Sequence, residues 1–374
     1  MKSVAVIGSG IMAAGIAAGF IAKNVPVVIL ARTKEKADAC LDKSIALAKK
    51  IGVDGDNATK NEADIKKQQV AGILENWQGW DNCSWVIETV AENLAIKQGV
   101  FKYLDSVVPP HVPIGSNSSG FPISKIAEDL KTADRMMGAH YFMPAEVVPL
   151  VEIVMGQKTD IQFAEQACEL YKAIGKKPVL VKKDIPGFLA NRIQHALMRE
   201  ALSLVQEGIA TPEDIDDAVR YSFGFRYAAV GPMTQKEISG WDGMANAAKE
   251  IYPSLSNTTT LPPKVVQLMA DGKTGMKAGE GFRTIDQVGP VNYKGLFTSW
   301  DEPTSAYYMY RSNYANKYTD PMVYIPMHNW SNRWLTPGIK NELIIYSNCD
   351  EVVLYNDVNK TEIGIDQKIE RRQC

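Results

Sequence analysis

Two polar segments in the N-terminal half carry side chains able to move protons. Gly115-Ser116-Asn117-Ser118-Ser119-Gly120 clusters hydroxyls and an amide directly after a short apolar run. Gly138-Ala139-His140-Tyr141-Phe142-Met143-Pro144 holds one of the chain's four histidines. It is followed by Pro149-Leu150-Val151-Glu152-Ile153-Val154, where a carboxylate interrupts a strand-like apolar stretch. Oxidising a secondary alcohol requires a base with a pKa of about 7 to take the hydroxyl proton while hydride departs, and imidazole suits that task. A buried carboxylate is costly without a partner. A hydrogen bond between Glu152 and His140 satisfies the acid, fixes the imidazole tautomer and raises its basicity. A core histidine with a structural carboxylate has the same composition, so the pair alone leaves both readings open.

A second chemical signal opens the chain. Gly8-Ser9-Gly10-Ile11-Met12-Ala13-Ala14-Gly15 follows the apolar strand Ser3-Val4-Ala5-Val6-Ile7 and starts a helix. The first glycine permits a tight turn, and the second lets a pyrophosphate approach backbone N–H groups at the positive helix end. Ala13 holds the third position, which governs only strand–helix packing. The alternative is a glycine turn serving packing alone. At the end of the next strand, NAD sites place an acid for the ribose hydroxyls; here stand Ala31 and Arg32. An acid repels a 2′-phosphate and Arg32 can pair with one, so NADP is favoured within an NAD(P) site. NAD remains open if Arg32 only stacks on adenine.

The elements that position these residues follow from periodicity. Residues 1–184 alternate short β-type runs with helical patterns, which implies a Rossmann-type, doubly wound parallel sheet. The strands are expected at 3–7, 25–30, 85–88, 113–115, 135–138 and 178–181, with 12–23 as the first helix. Residues 34–69 read as a helical hairpin projecting from the sheet. Asp184-Ile185-Pro186-Gly187 marks a boundary, after which 188–207 forms one amphipathic helix ended by Gly208. Thr211 and Pro212 supply N-cap and first position of another helix. Residues 185–285 are expected to form an all-helical domain, and 289–374, rich in Tyr, Trp, Asn and Pro, a small β-rich appendage with strands at 322–325, 342–346 and 351–355.

Composition removes several function classes. A net charge of −2 with scattered Lys and Arg gives no basis for nucleic acid or an anionic membrane as partner. No apolar run reaches the roughly 20 residues needed to span a bilayer. The five cysteines (Cys40, Cys83, Cys168, Cys349, Cys374) are widely spaced without a CxxC pair, so neither a metal site nor a disulfide framework is expected. A reducing cytoplasm fits, and the apolar start reads as folded structure rather than a signal peptide.

Together, the turn at 8–15, Ala91-Glu92-Asn93-Leu94-Ala95-Ile96-Lys97, residues 116–119, 140–152 and 184–192 resemble the successive motifs of the 3-hydroxyacyl-CoA dehydrogenases over residues 1–285. The resemblance implies a His–Glu acid–base dyad (His140, Glu152) and a serine and an asparagine holding the substrate oxygen (Ser119, Asn191). It implies a cofactor site lined by Glu92 and Lys97 alongside Gly8, Gly10, Ile11, Met12, Ala31, Arg32 and Asn117. It also makes the helical domain a dimerisation domain and the protein a homodimer. Departures are Met143 where the family has Asn, and Ala31 for the usual Asp. Phe223-Gly224-Phe225-Arg226-Tyr227-Ala228-Ala229-Val230-Gly231-Pro232 is similar to the lambda-crystallin or L-gulonate 3-dehydrogenase branch, whose substrates are free hydroxy acids. There Arg226 can anchor a carboxylate that a thioester lacks; as an alternative it is an interface arginine. The expected substrate is a 3-hydroxy acid or a 3-hydroxyacyl-CoA, the free acid ranked first.

The tail has a different likeness. Residues 291–297, 306–312 and 345–352 resemble the end of a β-galactosidase-like glycoside hydrolase. Retaining glycosidases need two carboxyl groups about 5 Å apart, and adjacent Asp301 and Glu302 do not supply them, so no glycosidase activity is expected. Trp300, Trp330 and Trp334 suit sugar stacking or a small core. Two other functions stay open: a dinucleotide-binding protein without catalysis, and a carbohydrate-binding protein acting through the tail.

Overall fold

A computed structural model describes residues 2–52, 61–224, 226–227, 230–275 and 278–284, with the backbone of four short strands within 323–366. The chain forms two compact units, residues 1–196 and 197–374.

The first unit is built on an eight-stranded sheet of order β3-β2-β1-β4-β5-β6-β7-β8. Its strands are β1 Ser3–Ile7, β2 Val27–Ala31, β3 Val70–Ile73, β4 Cys83–Glu88, β5 Ile114–Ser116, β6 Met136–Tyr141, β7 Leu150–Met155 and β8 Lys177–Val181. Every neighbouring pair is parallel except β6 with β7. The expectation of a uniformly parallel sheet needs this correction, and the cause is loop length. Only residues 142–149 separate the two strands, too few for the dozen or more that a parallel crossover requires. Pairing with β7 also draws β6 out to Tyr141, so His140 lies within a strand rather than just beyond one.

Helix α1 (Ile11–Ala22) is apolar on all sides, and ten of its twelve residues are buried, as a helix sandwiched between a sheet and a further layer must be. That layer is α2 (Lys34–Ile51), whose buried Ala37, Cys40, Leu41, Ser44, Ile45 and Ala48 recur at helical spacing. The stretch read as a projecting hairpin is therefore packed along most of α2. The short α3 (Glu62–Lys66) follows, and the chain re-enters the sheet as β3, a strand absent from the sequence expectation. Gln69 fixes that return by accepting a 2.7 Å hydrogen bond from the Val27 amide. One core lies on this face of the sheet, with α6 (Ile161–Ala173). A second lies on the opposite face beneath α4 (Leu94–Val107) and α5 (Ile123–Ile126).

Helix α7 (Ala190–Gln206) begins two residues later than periodicity indicates. Gly187 (φ +76°) and Phe188 (φ +48°) both adopt left-handed backbone geometry and hold the preceding turn. In the second unit, Thr211 and Asp214 form a capping box on α8 (Pro212–Val219). Further helices span Pro232–Ser239, Trp241–Ile251 and Pro263–Ala270. Val205 is the only buried hydrophobic residue described there, whereas Met198, Ile209, Met233, Ile238, Val266 and Met269 are exposed. In the tail, Val323–Tyr324 pairs with Tyr346–Ser347 and Val352–Tyr355 with Glu362–Asp366, both antiparallel. The rest of the strand expected at 342–346, together with Asp301, Glu302, Trp300, Trp330 and Trp334, lies outside the described residues. Among the described residues, no helix is long and apolar enough to cross a membrane.

Candidate active site

The carboxyl edge of β1 supplies an anion cradle. Gly8 has φ +130°, and a Cβ there would stand 2.4 Å from Thr89 Oγ1 and 3.0 Å from the Thr89 carbonyl. Only glycine lets the turn close against β4. Gly10 is the N-cap of α1, no side chain caps the helix, and the first turn carries no acid. A Cβ on Gly10 would meet nothing within 4 Å. The first-turn amides thus face open space under a positive dipole end, which fits a dinucleotide phosphate. Ile11 is exposed at the mouth of this cradle while Ala13 is buried beneath it. Met12 is half-buried against the α1 core, Ala31 is buried at the end of β2, and Arg32 beside it is exposed.

The proton-moving pair is set by the sheet itself. His140 and Glu152 are direct partners in the β6–β7 ladder. Both are buried, and His140 Nδ1 lies 2.7 Å from Glu152 Oε2. The other carboxylate oxygen accepts the amide N–H groups of Leu189 (3.0 Å) and Ala190 (2.8 Å), where α7 begins. Burial works to raise the Glu152 pKa, but the bonds from His140 and these two amides outweigh it and hold the acid below the ordinary carboxylate value. With Nδ1 committed to Glu152, Nε2 is left facing the Ser119 hydroxyl at 3.0 Å. Phe142 and Phe188 wall the imidazole, their ring centroids 4.6 and 5.5 Å from its own. Asn191 stands in the first turn of α7, one residue beyond the amides that hold Glu152.

On the cofactor side, Asn117 accepts the Tyr141 amide through Oδ1 (2.9 Å), tying the ends of β5 and β6 and leaving its NH₂ to donate. Glu92 Oε1 accepts the Ser118 hydroxyl (2.6 Å) and the Gly120 amide (2.9 Å). Its partial burial works to raise its pKa, but those bonds and Lys97 together lower it. Lys97 is buried at the same cluster, 3.3 Å from Glu92 Oε2. The fold thus brings Ser119, Asn117, His140, Glu152, Glu92 and Lys97 into one connected neighbourhood. Arg226 belongs to the second unit; it is half-buried, and its Nε has no hydrogen-bond partner among the described residues. Phe225, Ala228 and Ala229 of its motif lie outside them. Among the described residues, no group of three or more His, Cys, Asp or Glu forms a metal cage.

Residues 3–185 match the NAD binding domain of 3-hydroxyacyl-CoA dehydrogenase, and residues 187–285 match the C-terminal domain of the same enzyme. The chain belongs to the 3-hydroxyacyl-CoA dehydrogenase family. Its architecture, a Rossmann-like sheet followed by a helical domain, is that family's. It is a nicotinamide-dependent oxidoreductase acting on the CH–OH group of a 3-hydroxy acid or 3-hydroxyacyl-CoA. The 5-formyl-3-hydroxy-2-methylpyridine 4-carboxylate 5-dehydrogenase of Mesorhizobium japonicum is 32% identical over 287 residues, 75% of this chain and 90% of that one. A crystal structure of an enzyme of that activity, described as an NAD+ dependent dismutase, superposes with a TM-score of 0.66 at 29% identity, covering 76% of this chain and 91% of that one. A probable 3-hydroxybutyryl-CoA dehydrogenase of Bacillus subtilis is 31% identical, covering 77% of this chain and 98% of its own length. The L-carnitine dehydrogenase of Oceanobacillus iheyensis is 33% identical, covering 68% and 82%.

Sequence reasoning missed four contributors. Glu88, buried at the end of β4, reads as an ordinary strand terminus. Phe188 and the amides of Leu189 and Ala190 left no signal beyond the Pro186-Gly187 step.

Proposed function

We propose that this chain oxidises the 3-hydroxyl of a free 3-hydroxy acid, with NADP as the preferred acceptor and His140 as general base. The observation that carries the reading is the orientation of one imidazole: Nδ1 bonded to Glu152 and Nε2 turned to the Ser119 hydroxyl. A bound nicotinamide supplies the hydride acceptor. Neutral His140 takes the substrate hydroxyl proton at Nε2 as the carbonyl forms, and the Glu152 carboxylate stabilises the imidazolium. Ser119 and Asn191 orient the substrate oxygen. Arg226, with an unused buried N–H, pairs with the substrate carboxylate. Two of the relatives described above are named for carboxylate-bearing substrates rather than thioesters, which supports that assignment.

The cofactor preference rests on Ala31 and the exposed Arg32 at the end of β2. Residues 1–184 hold the cofactor and 185–285 form the dimerisation domain. Homodimerisation is supported by the exposed apolar residues of the second unit, which a second copy would cover. A turnover screen of both cofactors against 3-hydroxybutyrate, L-carnitine, L-gulonate and 3-hydroxybutyryl-CoA tests the reading. Turnover of a free acid, faster with NADP and lost in Arg226→Met, is expected; turnover of the thioester alone overturns the role of Arg226. Bound nucleotide with no turnover of any compound favours a non-catalytic binding protein, for which exposed Met143 in place of a polar residue speaks.

A further inference from the structure

Beneath the loop that carries Ser119 runs a network of charges and hydroxyls that proton transfer itself does not use. Glu88, the last residue of β4, and Lys97, in the first turn of α4, are both essentially without solvent exposure. Lys97 Nζ donates to both Glu88 oxygens, at 2.9 and 3.1 Å. Glu88 Oε1 also accepts the Val90 amide (2.6 Å), and Oε2 accepts the Ser116 hydroxyl (2.7 Å). Ser116 Oγ then accepts the Ser118 amide (3.2 Å). Ser118 Oγ donates to Glu92 and accepts the Phe121 amide (2.9 Å), while Gly120 N–H closes on Glu92. Residues 116, 118, 120 and 121 are therefore each tied down, and Ser119 is the loop residue whose hydroxyl turns to His140.

An ion pair removed from water is poor value for stability alone, since a packed apolar pair of similar volume commonly serves a core as well or better. What an apolar pair cannot do is fix polar loop atoms. Glu88 is the direct β4–β5 partner of Ser116, so the carboxylate addresses the loop where it leaves the sheet. We infer that Glu88, acting through Ser116 and Lys97, is a positioning residue that holds the Ser119 hydroxyl at the distance His140 requires. The inference rests on the reading of Ser119 and His140 as the reacting pair.

The test compares Glu88→Gln, Lys97→Met and the double variant in the full-length protein, by thermal unfolding, cofactor affinity and steady-state kinetics. Lys97→Met leaves the buried Glu88 carboxylate without its cation, and Glu88→Gln leaves Lys97 only the 3.3 Å contact with Glu92, so each should lower Tm; the double variant removes both charges and should recover most of that loss. In the double variant kcat should stay down by about 100-fold, because small misplacement of a reacting group has that scale of effect. That loss is read at saturating cofactor, so that any weaker binding through Lys97, which lines the cofactor site, does not enter kcat. Ser119→Ala should cost much less in the double background than in the native one, since both changes act on the same hydroxyl. Fully additive effects, near-native kcat in the folded double variant, or a loss explained by weaker cofactor binding would each overturn the inference. His140→Gln in the native background is the control: turnover surviving that change removes the site reading itself, whereas its loss beside an active double variant removes only the role of Glu88.

Discussion

His140 and Glu152 face each other across the single antiparallel strand pair of the sheet, so strand register, rather than a mobile loop, sets their 2.7 Å contact. Antiparallel partners have their Cβ atoms about 5 Å apart, and an imidazole and a carboxylate span that gap with no further adjustment. The carboxylate is anchored from its far side by the first amides of α7, which leaves the imidazole one orientation.

Replacing Glu152 with Gln keeps the shape and removes the charge. Turnover should fall about 100-fold or more, the usual range for disabling acid–base catalysis, with cofactor affinity retained. Stability should respond to pH as well. The folded-state pKa of Glu152 is depressed, so its contribution is fully present above the unfolded carboxylate pKa and is lost as pH falls through the lower folded value. Urea unfolding between neutral and acidic pH should show a shallower acid decline in Glu152→Gln than in the native protein. Parallel curves would mean the carboxylate carries no such contribution.

The two glycines of the turn should separate fold from binding. A methyl on Gly8 would strike Thr89 and force a side chain into φ +130°, so Gly8→Ala should destabilise the protein by about 1–3 kcal/mol. A methyl on Gly10 meets no protein atom within 4 Å. Gly10→Ala should leave Tm nearly unchanged while weakening nucleotide binding, read by calorimetry, because the methyl occupies the space a phosphate needs. Unchanged nucleotide affinity in Gly10→Ala would return the turn to a packing role.

Lys176 gives a third test, at alkaline pH. It is buried, and it donates to the carbonyls of Ala145 (2.6 Å) and Val148 (2.9 Å), pinning the loop between the dyad strands. Burial pushes its pKa down to about 8 from 10.5. The charged form is thus disfavoured in the folded protein, and stability should rise with pH between about 8 and the unfolded value. Lys176→Met should remove that rise. Chemical unfolding at several pH values across the window measures it, and an identical slope in both proteins would place the ammonium in a well-solvated setting.

Much of this site was legible because its chemistry is local. The phosphate turn is contiguous, His140 is one of few histidines, and Glu152 interrupts an apolar run where a carboxylate needs a reason. What stayed hidden depends on neighbours distant in the chain. That β7 runs antiparallel follows from the short 142–149 connection, which periodicity does not register. Glu88 looks like the polar end of a strand until β4 and β5 come into register and α4 brings Lys97 over it. The left-handed geometry of Phe188 is invisible because its side chain favours ordinary backbone. Strand β3 was passed over just beyond the charged helical pattern of 34–69, since Val70-Ala71-Gly72-Ile73 is too short and too small to declare itself.

The most direct measurement is turnover and nucleotide binding in His140→Gln, made on protein shown by its unfolding curve to be folded. Turnover should vanish to within the background rate while the nucleotide Kd stays within about twofold of native, since the imidazole acts on the substrate proton and the phosphates are held at the β1–α1 turn. Turnover within about tenfold of native would contradict this, because the reading gives the substrate proton to His140 Nε2, the atom that faces the Ser119 hydroxyl at 3.0 Å.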